Sequence, residues 1–153
     1  MSQYELAELN IAIMKEPLES PTMADFVANL DRINALADGS PGFVWRLQSE
    51  AGNATDILAF DDPTILLNMS VWTSLEALRD YVYRSDHTGF LRRRREWFEP
   101  VEGPTTTLWW VPAGVVPTVE EALARRQLVL DRGPTAEAFT FRSVFPSPAA
   151  AAS

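Results

Sequence analysis

The sequence predicts an α+β fold in which two β-α-β halves interleave into a four-stranded antiparallel sheet with helices on one face. Three observations predict it. Apolar and polar residues alternate with a period of two in three separate stretches, the spacing of strands. Helix-capping signals stand behind the first and third of those stretches. A length of 153 residues suits one domain and is enough to bury a core without staples.

The first strand spans Tyr4 to Met14, where Leu9, Ile11 and Ile13 alternate with Glu8, Asn10 and Ala12. Pro17 and Pro21 punctuate the loop behind it. Thr22 and Asp25 resemble a capping box and open a helix whose Phe26, Leu30, Ile33 and Ala37 form an apolar stripe; Gly39, Pro41 and Gly42 stop it. In the second strand Phe43, Trp45 and Leu47 alternate with Val44, Arg46 and Gln48. Glu50 to Pro63 is polar and turn-rich, with Ile57 to Phe60 long enough for a short strand.

From Thr64 the alternation is strongest. Ile65, Leu67, Met69 and Val71 make a wholly apolar face, and Leu66, Asn68, Ser70 and Trp72 a mixed one. Thr73 to Glu76 is a second capping box, opening a helix to about Arg84 on Leu75, Leu78 and Val82. Ser85-Asp86 breaks or re-caps it, and a further helical segment runs on to Phe98 before Pro100, Gly103 and Pro104 end it.

Thr105 to Val111 is the fourth strand, whose adjacent Trp109 and Trp110 must face opposite ways, so both faces need cover. Pro117 to Glu121 caps a C-terminal helix reaching about Asp131, stopped by Gly133-Pro134. Ala138 to Phe145 suits a last strand. The order β-α-β-β-α-β is the ferredoxin-like split βαβ arrangement with an extra C-terminal helix. Aromatic residues on the face without helices call for a partner sheet, most simply that of a homodimer. The domain is expected over residues 1–145, with a low-complexity, disordered tail over 146–153.

Composition narrows the chemistry. Twenty-one acidic against thirteen basic residues give a net charge of −8, which disfavours nucleic acid as a partner. The run Arg92 to Arg95 reads as a solvated helix face. The absence of cysteine removes disulfides, thiolate catalysis and cysteine-based metal sites, and one histidine cannot build a multi-histidine metal site. No apolar run approaches the ~20 residues of a membrane span and no leader pattern opens the chain, so a cytoplasmic protein without membrane partners is expected.

That one histidine, His87, stands at the head of the segment capped by Asp86. At helical spacing His87, Phe90, Leu91, Arg94, Trp97 and Phe98 share a side. An imidazole and a guanidinium on an otherwise apolar stripe make His87 a candidate acid/base and Arg94 a candidate holder of the resulting anion. The alternative for each is structural: a histidine bonded to backbone or Asp86, and an arginine paired with an acidic residue. Trp72 shares its strand face with Asn68 and Ser70, a mixture that suits an apolar pocket with a few orienting hydrogen bonds.

The stretch Ser70-Val-Trp-Thr-Ser-Leu-Glu-Ala-Leu78, followed by Tyr83-Arg-Ser-Asp-His87, resembles the dimeric α/β-barrel superfamily that includes antibiotic-biosynthesis-type monooxygenases. More closely, the pattern from Tyr4-Glu-Leu-Ala-Glu-Leu-Asn10 to Trp110 resembles the DUF3291 family. The superfamily resemblance implies a ligand between the sheet and the two helices. It would be lined by Asn10, Asn68 and Trp72 on the sheet and by Tyr83, His87, Phe90, Arg94 and Trp97 on the helix side. It further implies cofactor-free oxygenation, cyclisation or isomerisation of an apolar or aromatic small molecule. Haem is the alternative cofactor, with His87 as axial ligand. Haem-degrading relatives carry an Asn on the first strand, a Trp on the third and a His on the second long helix, types supplied here by Asn10, Trp72 and His87. Their register departs from this chain, since the ligating His falls near Arg92. A third expectation is a non-catalytic ligand-binding or structural dimer.

Overall fold

A computed structural model describes residues 4–16, 19–47, 65–84, 94–99 and 104–148. Its centre is β1 (Tyr4–Met14), which pairs antiparallel with β3 (Ile65–Trp72) along one side. Along its other side lie, in succession, the two-residue β4 (Phe98–Glu99) and β5 (Thr106–Pro112). The four-residue β2 (Phe43–Arg46) pairs with β3 at the far edge. The spatial order β2-β3-β1-β5 is that of the split βαβ arrangement, so the expected α+β, ferredoxin-like fold is observed.

Register sorts the strand residues into two faces. On one face Ala7, Leu9 and Ile11 meet Leu67, Met69, Val71, Trp109 and Val111. On the other, Leu6 lies between Trp72 and Trp110, Glu8 between Ser70 and Leu108, and Asn10 between Asn68 and Thr106. Trp109 and Trp110 face opposite ways, as their adjacency requires. In β2 a bulge between Phe43 and Trp45 breaks the simple alternation: Phe43 packs with Trp72, whereas Trp45 and Leu47 pack on the all-apolar face. The extra residue re-aims Arg46 toward the helix side, opposite Ser70.

Two helices cover the mixed face, α1 (Ala24–Asp38) and α2 (Leu75–Arg84). Ala37, Leu78 and Val82 join Leu6, Trp72 and Leu108 at one end of it. The capping details differ from expectation. A 3-10 turn at Pro21–Met23 leads into α1, whose cap residue Met23 offers no side-chain bond, because Pro21 pre-sets the first turn upstream of Thr22 and Asp25. At α2 the cap is Ser74, whose Oγ accepts from the Ala77 N–H at 3.1 Å, one residue past Thr73. The Thr73 N–H instead donates to the Gly42 carbonyl at 2.8 Å. Gly42 has φ +82°, and a Cβ there would collide with Ala77 Cβ, so only glycine lets this turn lie against α2.

The segment expected as helix from His87 to Phe98 is described only at α3 (Arg94–Trp97), and Phe98 leaves the helical stripe to pair with Met14 as β4. The C-terminal helix, α4 (Val119–Arg132), starts on Thr118 Oγ1, which accepts from the Glu121 N–H at 3.1 Å, and ends at Gly133. It lies on the opposite face from α1 and α2, with Ala122, Val119 and Leu123 packed on the all-apolar cluster. Helices therefore occupy both faces. The uncovered apolar surface that called for a partner sheet is covered within this chain, where Leu9, Met69 and Trp109 are each 0% exposed.

The stretch from Ala138 to Phe145 is not a strand. It meets β5 at one bridge, Leu108 with Phe139, through two 2.8 Å bonds, and otherwise turns back on itself. Its aromatic side chains explain the path. Phe139 is fully buried and Phe145 packs beside it, closing over Trp110, whose Nε1–H donates to the Phe145 carbonyl at 3.0 Å. The segment Ile57 to Phe60 lies outside the described residues.

Candidate functional site: a carboxylate under the helices

Along the mixed face the rows change character from end to end. At one end Leu6, Trp72, Trp110 and Phe43 are apolar and packed. At the other, Met14 and Leu66 pack with Met23, Phe26, Trp97 and Phe98. Between them lie two polar rows. The first holds Glu8, Ser70 and Arg46; the second holds Asn10, Asn68 and Thr106. Ser70 is buried, whereas Glu8 and Asn10 keep partial exposure and Asn68 is exposed, although β1 and β3 are interior strands. Polar side chains thus interrupt the middle of a helix-covered sheet face whose two ends are apolar and packed.

Glu8 is the chemical centre of this band. Ser70 Oγ donates to Glu8 Oε1 at 3.2 Å, and Trp72 Nε1–H donates to Ser70 Oγ at 2.9 Å. Burial raises the Glu8 carboxyl to about 7, against which the Ser70 hydrogen bond acts in the lowering direction. A carboxyl with that midpoint exchanges a proton near neutral pH.

Tyr81 of α2 stacks on Trp72 with centroids 5.1 Å apart and an interplanar angle of 27°, while Phe43 meets the same indole edge-on at 5.5 Å. Burial, and then the negative charge of Glu8, push the Tyr81 phenol well above its ordinary value, so it stays a neutral hydroxyl. Its hydroxyl donates to the Ile33 carbonyl at 3.4 Å. Arg46 pairs with Asp38 at the end of α1 at 2.8 Å.

The candidates named from sequence are distributed unevenly. Asn10 and Asn68 are brought directly opposite each other. Trp72 stands two residues from Ser70 on the same face, its N–H engaged as above. Trp97 belongs to the other end: it is 1% exposed, 5.6 Å from the ring of Phe26, and its carbonyl accepts from the Lys15 N–H. Since Leu6 and Met14 are eight residues apart on β1, Trp72 and Trp97 are separated by about 26 Å along the sheet. His87 and Phe90 lie outside the described residues, as do the side chains of Tyr83 and Arg94. The haem expectation rests on His87 and lies there too. Among the described residues no group of three or more His, Asp or Glu is placed to hold a metal ion, and no helix is long and apolar enough to cross a membrane.

Glu8, Ser70 and Tyr81 were not among those candidates. Their signal was present for Glu8 and Ser70: the period of two that places Asn10 and Asn68 on the mixed face places Glu8 and Ser70 there with them. Tyr81 carried no such signal, since its meeting with Trp72 depends on how α2 crosses β3.

A family model described as a domain of unknown function, DUF3291, matches residues 5–153. No curated protein matches the chain. Among solved structures, the chain is similar to SnoaB, a cofactor-independent oxygenase from Streptomyces nogalater, at 18% identity and a TM-score of 0.46, over 76% of this chain and 98% of that one. It is similar to PA3566 from Pseudomonas aeruginosa at 13% identity and a TM-score of 0.47, over 75% and 98%. A dabb family protein with a ferredoxin-like fold from Mesorhizobium loti matches at 16% identity and a TM-score of 0.42, over 74% and 98%.

Proposed function

The chain belongs to the DUF3291 family, and on that premise we propose a small-molecule enzyme that transfers protons on an apolar or aromatic substrate held between the sheet and α1 and α2. The observation that supports it is Glu8, a carboxylate whose burial raises its midpoint to about 7, set beside an aromatic stack and one row from two amides. In its charged form Glu8 takes a proton from an activated C–H or a phenolic O–H and leaves an anion on the substrate. Returning that proton at a second carbon is an isomerisation. Attack of the anion within the same molecule is a cyclisation, and its reaction with dioxygen as co-substrate is an oxygenation.

Asn10 and Asn68 orient the substrate through their amides, and Trp72 with Tyr81 forms the apolar wall. His87, as a second proton carrier, and Arg94, as holder of the anion, belong to the same proposal.

The test begins with Glu8 and needs no natural substrate. Carbon-13 NMR of labelled full-length protein is expected to show one glutamate carboxyl titrating near 7, lost in Glu8→Gln. Naphthol, an aromatic alcohol, is expected to bind saturably, quench tryptophan emission and shift that midpoint. An ordinary carboxylate midpoint of about 4.3, with no saturable naphthol binding, would sink the proposal.

A further inference from the structure

The hydrogen-bond chain on the mixed face has its direction fixed at both ends. An indole nitrogen only donates, so the Trp72 Nε1–H gives its bond to Ser70 Oγ at 2.9 Å. An ionised carboxylate only accepts, so the single Ser70 hydroxyl proton goes to Glu8 Oε1 at 3.2 Å. Trp72 cannot swing away from this duty. It is 1% exposed, stacked by Tyr81 and met edge-on by Phe43. Ser70, also buried, has one rotatable proton, and the indole N–H takes a lone pair of the same oxygen.

We propose that Ser70 is a positioning residue for Glu8, aimed by the Trp72 indole, so that Oε1 is the anchored carboxylate oxygen and Oε2 the one that meets substrate. This rests on the acid/base reading of Glu8. It gives Trp72 a second duty beyond forming an apolar wall, since its N–H is spent on Ser70. The donor at the far end of the chain also strengthens the bond at the near end, because each hydrogen bond polarises the next. Among the described groups, Tyr81 on α2 interacts with Glu8 and with Arg46 on β2 and Asp38 at the end of α1, and Leu108 of β5 stands opposite Glu8. Arg46 and Asp38 are paired with each other, and Tyr81 is held neutral.

The experiment uses nitrogen-15 and carbon-13 labelled full-length protein. The Trp72 indole N–H resonance, assigned by its loss in Trp72→Phe, is expected to titrate with the same midpoint as the Glu8 carboxyl and to stop titrating in Glu8→Gln. Ser70→Ala is expected to raise the Glu8 midpoint by about one unit and to uncouple the indole from it. Should Ser70→Ala fail to fold, the wild-type indole titration decides alone. An indole signal that stays flat through the Glu8 midpoint overturns the relay, as does a Ser70→Ala midpoint equal to that of wild type. A flat indole beside a Glu8 midpoint near 7 leaves the acid/base reading standing. A Glu8 midpoint at the ordinary carboxylate value, followed by the indole, removes that reading and keeps the relay.

Discussion

The two faces of the sheet are made from alternate residues of the same strands, yet they do different work. Leu9 and Met69 are sealed under α4 with no exposure, while their neighbours in sequence, Asn10 and Asn68, face the side of α1 and α2 and keep some exposure. One face gains stability by removing apolar surface from water. The other gives some of that up by holding a carboxylate where its charge is poorly solvated. Residue parity along β1 thus separates a wholly apolar face from one that is apolar only at its ends, at Leu6 and Met14, and polar between them.

The largest expected effect tests that separation on adjacent residues. Leu9→Ala should cost about 3 kcal/mol in urea unfolding, the scale of a buried leucine truncation, and leave the Glu8 midpoint in place. Asn10→Ala should cost no more than about 0.5 kcal/mol and weaken naphthol binding. Equal losses for the pair would break the comparison.

Glu8→Gln comes next, and its sign reverses the usual one. The folded protein keeps the Glu8 proton up to about 7, whereas the unfolded chain loses it near 4.5. The Glu8 contribution to wild-type stability is therefore fullest below 4.5, falls as pH rises between those values, and is flat above about 7. Glu8→Gln removes that fall, so its urea midpoint should gain on wild type across this window, by at most on the order of 3 kcal/mol. A constant difference at all pH values would show that Glu8 is an ordinary surface carboxylate. The smallest effect belongs to the cover of the apolar face: Thr118→Ala should lower stability by about 1 kcal/mol through loss of the α4 cap, without moving the Glu8 midpoint.

Much of the fold was legible because alternation and capping are local. Tyr4–Met14 as a strand, the opposed Trp109 and Trp110, and the Thr118 cap needed no knowledge of neighbours. What escaped depended on partners distant in sequence. The β2 bulge is defined only against β3, and the side on which α4 packs is set by the loop that carries it over β5. The run from Ala138 looks like a strand because its aromatics alternate, but burying Phe139 and Phe145 around Trp110 bends it. The site was half legible. Asn10, Asn68 and Trp72 share one face, as their alternation requires, whereas Glu8 escapes a reading of the pattern because a glutamate in an alternating strand looks like its solvent side.

The single bridge between Leu108 and Phe139 bears on how this chain behaves in a crowded solution. A sheet grows into fibres by adding strands to a free edge. Here the outer edge of β5 is engaged in its middle by two bonds from a segment that then turns away and offers no continuous ladder beyond. The opposite edge is β2, four residues long and kinked by its bulge. Both borders of the described sheet are thus poor templates for another strand.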